Sequence, residues 1–200
     1  MKVSILYSGG KDSSLAAYIL RLTGHEVELV TVNFGLLESY RPAKATARRL
    51  GFRHRVLKLK NEIVDRGCTR IVEDSHPGNG INYIHREALK EVAKVSIAVG
   101  DGTRRDDRIP KLSIQEIRSL EDRYGVEYIA PLHGLGYKTI NRLTDEILEY
   151  RKDLSEKIEK SDYEVEIREF IKRKGYSIDK IFPMEHIQSR VIGLKGDLNG

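Results

Sequence analysis

An α/β fold with a five-stranded, mostly parallel sheet and helices on both faces is predicted by two observations. Five short apolar runs alternate with amphipathic segments between residues 2 and 132, and parallel neighbours need a crossover that is usually a helix. The last third of the chain abandons that rhythm and reads as a helical extension. Residues 1–138 are therefore taken as the α/β domain and 139–200 as an extension packed on it.

Residues 2–7 (KVSILY) read as a buried strand, and Leu15, Ala16, Ile19 and Leu22 recur at helical spacing until Gly24 stops the helix. "EVELVTVNF" (26–34) is a second strand. Ser39 then serves as N-cap for a helix whose face carries Tyr40, Ala43, Ala47 and Leu50, ending at Gly51. Residues 54–59 form strand three and 60–75 a helix, and the cluster "SHPGNG" makes a turn. A helix over 82–94, a strand over 95–100, a helix from Ser113 to Tyr124 and a strand over 126–132 complete the alternation. Ile140, Leu143, Ile147, Tyr150, Leu154 and Ile158 predict one long amphipathic helix, and Tyr163, Ile167, Phe170 and Ile171 another that ends near Gly175.

Composition narrows the function. Two hundred residues, 40% hydrophobic, suit one domain with a real core. A net charge of +5 and a pI near 9.2 favour polyanionic partners. The apolar N-terminal run is too short for a signal peptide or membrane span, and no later stretch reaches spanning length, so a soluble cytoplasmic protein with no membrane partner is expected. One cysteine, Cys68, excludes an internal disulfide, a Cys-rich zinc site and a Cys-ligated iron–sulfur cluster. Abundant Lys, Arg and Glu, with two Gln and no Trp, is a thermophile-like balance.

The chemistry starts at Ser8-Gly9-Gly10-Lys11-Asp12-Ser13, between the first strand and its helix. Glycines there let backbone amides approach a ligand, and the helix N-terminus adds partial positive charge, so phosphate is the natural occupant. The Walker A and dinucleotide spacings do not fit. These six residues instead resemble the SGGxDS loop of the PP-loop ATP pyrophosphatases, whose fold is Rossmann-like and called adenine nucleotide alpha hydrolase-like. GMP, NAD, asparagine and argininosuccinate synthetases, tRNA lysidine synthetase, tRNA thiolation enzymes and diphthamide synthetase belong to that superfamily. The whole chain most resembles small archaeal PP-loop proteins labelled asparagine-synthetase-like or ATPase-like.

The resemblance implies ATP and Mg²⁺ as cofactors. Ser8, Gly9, Gly10 and Ser13 would cradle the β,γ-pyrophosphate, leaving the α-phosphate open to attack, with AMP and pyrophosphate as products. Lys11 would neutralise charge. Asp12 would hold magnesium, directly or through water, or fix the loop. In relatives the adenine lies against the end of strand two, which makes Val32, Asn33 and Phe34 candidates; the side chains of Val32 and Phe34 equally suit the core. "GDGTRRDDR" (100–108) stands where related enzymes carry paired acids. Gly100 and Thr103 are assigned to ATP, Asp106 and Asp107 to the metal, with Arg104 or Arg105 near phosphate, against the plainer reading of a solvated turn. "PLHGLGYKTINRL" (131–143) resembles the segment whose lysine faces the phosphates, which selects Lys138 as the third catalytic candidate beside Lys11 and Asp12.

Weaker candidates are His76, Asn79, Asn82, Tyr83 and His85 in the turn before a helix. His186, Gln188 and Arg190 alternate in "FPMEHIQSRVIG" and would share one side of an extended segment. The acceptor stays open. An amide- or ammonia-type ligase acting on a small acid or a protein side chain is the main reading. The alternatives are a tRNA-modifying adenylating enzyme of thiolation or lysidine type and a non-catalytic nucleotide-binding protein. The long helix makes a homodimer an expectation.

Overall fold

In the computed structural model, which describes residues 1–154, 157–179, 181–182 and 187–196, five parallel strands form one sheet. They are β1 (Lys2–Leu6), β2 (Glu26–Asn33), β3 (Arg53–Lys58), β4 (Ala98–Gly100) and β5 (Glu127–Ile129), in the order β3-β2-β1-β4-β5. Leu6 of β1 stands opposite Val30 of β2, and Ile5 opposite Gly100 of β4. The chain therefore leaves β3 at one edge and re-enters the sheet beyond β1. Between β1 and β4 the winding direction reverses, which opens a crevice at the strands' carboxyl ends.

Alternation along the strands fills both faces. Val3, Ile5, Val27 and Leu29 pack with α1 (Lys11–Leu22) and α2 (Arg41–Arg49), while Leu6, Val30, Val32 and Val99 pack with α3 (Asn61–Asp74), α4 (Gly78–Ala93) and α5 (Ile114–Tyr124). Two faces of apolar side chains, each covered by helices, are what parallel strands require. Two further helices divide between the faces: α6 (Tyr137–Ile147) joins the first through Ile140, and α7 (Tyr163–Arg173) joins the second through Ile167 and Ile171.

Four expectations are corrected. The long helix over 140–158 ends at Ile147, and β6 (Leu148–Leu154) follows, paired antiparallel with β7 (Ile187–Leu194). Apolar spacing at 147, 150 and 154 fits a helix locally, but a ladder with a strand far along the chain wins, with Leu148 and Val191 fully buried. The strand over 95–100 shrinks to β4, because Val95 and Ile97 lie in the turn after α4, 74% and 61% exposed. β5 likewise keeps only three residues of 126–132. Ser39 is not the cap of α2, which starts with Pro42 in its first turn; the Ser39 hydroxyl instead accepts from Asn33 Nδ2 at 3.1 Å. No helix among the described residues is long and apolar enough to cross a membrane.

Candidate active site

The glycine loop links β1 to α1 at the sheet's carboxyl edge. Gly9 has φ +79°, a conformation that favours glycine, and Gly10 caps α1 in extended geometry. Inside the loop the Ser8 and Ser13 hydroxyls are 3.3 Å apart, and Ser13 Oγ donates to the Gly10 carbonyl at 3.3 Å. Lys11 Nζ reaches Asp12 (2.7 Å) and Asn141 Oδ1 of α6 (3.1 Å). β7 braces the loop: Val191 N–H donates to the Gly9 carbonyl at 3.1 Å, and Lys11 N–H to Ser189 Oγ at 3.3 Å. From the other side the β4–α5 connection presses in. A Cβ at Gly102 would lie 2.6 Å from Ser13 Cα and 2.7 Å from its nitrogen, so only glycine allows that approach.

Two cavities meet at this loop, sharing Ser8, Asp12, Ser13 and Asp162. The inner one, about 210 Å³, lies in the crevice between β1 and β4. Leu6, Val30 and Val32 form its apolar wall, and His85, Asp101, Thr103 and Tyr163 its polar end. The outer cavity, about 670 Å³, is cationic, with Lys11, Arg104, Lys152 and Lys160. An apolar slot beside a cationic chamber, joined over a glycine loop, suits a nucleoside with a phosphate chain. At the junction Asp162 Oδ2 accepts from Gln188 at 2.9 Å, while Oδ1 is shielded from solvent with no partner among the described residues. Burial raises that carboxyl above the usual carboxylate range.

A buried polar chain backs the inner cavity. Burial alone would raise the Asp101 carboxyl, but hydrogen bonds from His85 and Thr103 outweigh it and hold the group down to about 2. As an ionised acceptor it takes Tyr128 OH (2.9 Å), His85 Nε2–H (2.8 Å), and both the amide (2.9 Å) and hydroxyl (2.6 Å) of Thr103. The Thr103 oxygen is then left to accept from His133 Nε2 at 2.9 Å. His85 Nδ1 faces the Tyr163 hydroxyl, 3.0 Å away. Burial and the Asp101 charge push the Tyr163 phenol up, so it stays a donor. The chain Asp101-His85-Tyr163 thus fixes a hydroxyl at the cavity wall.

Some predicted site residues gather here and others do not. Ser8, Gly10, Lys11, Asp12 and Ser13 line the cavities, with Gly9 supplying the turn beneath them. Val32 and Thr103 line the inner one. Asn33 and Phe34 do not: Asn33 Nδ2 and the amides of Phe34, Leu36 and Leu37 all donate to the buried Glu166 carboxylate of α7, at 2.7–3.0 Å. Gly100 is explained by the sheet, since a Cβ there would meet the Ile129 carbonyl at 2.1 Å. Lys138 is exposed; Tyr137 and Asn141, one helical turn apart, take the cleft face of α6. Asp106 is drawn off by Arg105 (3.1 Å) and the Tyr137 amide (3.2 Å). Arg104 grips Asp107 at 2.6 Å and stands 3.6 Å from Asp12.

Among the described residues no cluster of three or more metal-ligating side chains is assembled. Asp12 and Asp107, both on the inner cavity, nevertheless fit Mg²⁺, which takes one or two carboxylates and completes its shell with phosphate and water. Gln188 and Arg190, two residues apart in β7, do fall on one face of that strand, Gln188 at the outer cavity and Arg190 at a neighbouring groove, while His186 lies outside the described residues. Sequence reasoning passed over Lys152, Lys160, Asp162 and Glu166, whose only local signal was charge, and read Tyr163 only as part of an apolar helix face. Asp101 stood inside a quoted motif without a role.

A family profile described as a family of unknown function, DUF7411, matches residues 1–193. An uncharacterised protein of Methanocaldococcus jannaschii is 47% identical over 99% of this chain and 98% of its own length. A crystal structure from that organism, described as a predicted subunit of tRNA methyltransferase, superposes with a TM-score of 0.90 at 47% identity, covering 98% of both chains. The tRNA-specific 2-thiouridylase MnmA of Syntrophomonas wolfei is 27% identical over 76% of this chain, which spans about half of that enzyme (48%). The U34-tRNA thiolase NcsA of Methanococcus maripaludis, solved with its 4Fe–4S cluster, shares the fold with a TM-score of 0.50 at 17% identity, over 72% of this chain and 56% of its own.

Proposed function

This chain belongs to the DUF7411 family, and from that premise we propose that it is a PP-loop enzyme that uses ATP to modify tRNA. The observation that carries the reading is the glycine loop placed where an apolar slot and a cationic chamber join. The nucleoside lies in the slot, and the β,γ-phosphates lie on the loop amides with Lys11 and Arg104 beside them. Asp12 and Asp107 hold Mg²⁺, which when bound neutralises the phosphate chain. An oxygen of the acceptor attacks the α-phosphorus, and the bond to the bridging oxygen of the β-phosphate breaks. Pyrophosphate leaves onto donors already placed for its growing charge, which favours the transition state over the ground state.

RNA is preferred over a small acid as the acceptor because MnmA, NcsA and the M. jannaschii protein are all described by tRNA activities. The cationic outer chamber supports the same choice. The step that resolves the adenylate does not use Cys68: it sits in α3, and burial pushes its thiol up to about 12, far from a reactive thiolate. A sulfur, amine or ammonia nucleophile would come from another molecule.

The test is product analysis of α-labelled ATP with Mg²⁺, with and without unfractionated tRNA. AMP and pyrophosphate formed only with tRNA are expected, and Asp12→Asn abolishes AMP while ATP still binds, which separates turnover from mere nucleotide storage. AMP formed with ammonia and carboxylates instead would shift the acceptor to a ligase substrate. ADP would overturn the reading.

A further inference from the structure

The β6–β7 ribbon carries a charge pattern that the ATP site does not explain. Arg151 of β6 stands directly opposite Arg190 of β7, and like charges in register across an antiparallel pair repel. Glu159 engages one end of Arg190, yet Arg190 Nε is shielded from solvent without a partner among the described residues. Arg49, Arg151 and Lys157 are exposed and form no ion pair among those residues. Together with Lys152 these side chains line one groove in which five cations face two acids, Asp153 and Glu159. Such an arrangement is stable only beside water or an anion.

The groove is not isolated. Lys152 lines both it and the outer chamber, so positive charge runs from open surface to the glycine loop. On the chamber wall Tyr137 stands 58% exposed, with the Arg104 guanidinium 5.9 Å from its ring centre, an aromatic side chain on which an unstacked base can rest. The ribbon also touches the loop directly through Ser189 and Val191.

We propose that the β6–β7 groove docks the phosphodiester backbone of RNA and delivers a base past Lys152 and Tyr137 to the α-phosphate. This rests on the tRNA reading above. A spaced row of cations with a stacking face at its inner end matches a phosphate chain carrying bases, where a free anion would need only one of those sites.

The test uses full-length protein and unfractionated tRNA, titrated at several salt concentrations, with the double variant Arg151→Glu/Lys157→Glu. Neither residue belongs to the ATP site, so ATP affinity reports on folding; Lys157→Glu alone, outside the strands, replaces the double variant if that fold is lost. Binding is expected to fall at least tenfold, and the slope of log affinity against log salt to become shallower by about 1.5, two phosphate contacts having gone. Wild-type affinity and slope in the variants, with tRNA still bound, would overturn the groove and leave the tRNA reading standing. Wild-type protein that binds no tRNA would instead overturn the tRNA reading itself.

Discussion

Gly102 shows how much one missing methyl decides. Its backbone rests against Ser13, and the atoms in the way of a Cβ are backbone, 2.6 and 2.7 Å off, which cannot swing aside. Gly102→Ala is therefore expected to push the β4–α5 connection off the α1 terminus and weaken ATP binding about tenfold or more by calorimetry, with a lower melting temperature. At Asp101 the folded value lies near 2 against an ordinary 3.8. A depressed acid contributes stability above its unfolded value and loses it as pH falls through the folded one. Between about pH 4 and 2 that contribution, on the order of 2 kcal/mol, disappears. Chemical unfolding of wild type and Asp101→Asn across that window should show a flatter pH slope in the variant; equal slopes would mean the carboxylate is not held down. Neither was legible beforehand: Gly100 and Thr103 were singled out in that segment, while the approach that requires glycine at 102 exists only once the connection folds against α1. Asp101 takes its character from His85, Tyr128 and Thr103, two of them on other elements.

At the scale of elements, α7 is the piece that converts an extension into part of the site. Its Glu166 accepts four hydrogen bonds from the end of β2 and the loop after it, and its first residue, Tyr163, and the turn before it, with Ser161 and Asp162, reach the inner cavity. Glu166→Gln replaces one acceptor oxygen with a donor among converging donors. A loss of about 1–3 kcal/mol in urea unfolding is expected, with the melting temperature restored little by ATP. A change under half a kcal/mol would show that the loop after β2 holds itself. The helical face of α7 was readable from Ile167, Phe170 and Ile171. That its polar residue at position 166 turns inward was not, because burial of a carboxylate depends on donors that only β2 and its loop provide. The same blindness put Lys138 at the phosphates: helix phase, set by Ile140 in the core, gives the cleft to Tyr137 and Asn141.

For the whole molecule, the division into 1–138 and 139–200 has a testable consequence. Leu148 and Val191 are fully buried in one core, and Ile167 and Ile171 in the other. A chain cut after residue 138 would expose apolar surface on both faces of the sheet and lose Lys152, Asp162 and Ser189 from the cleft. It is expected to show no cooperative thermal transition and no ATP binding; a truncated chain that melts sharply and binds ATP would make the extension dispensable. The strand and helix order as far as β5 and the glycine loop were determined by sequence alone, because apolar periodicity and turn chemistry are properties of neighbours along the chain. The ribbon of β6 and β7, the carboxylate under the loop after β2, and the set of cations that gathers around the glycine loop were decided only by tertiary structure. Each depends on a partner far away in sequence, and no local pattern carries the free energy of a contact that exists only once the chain has closed on itself.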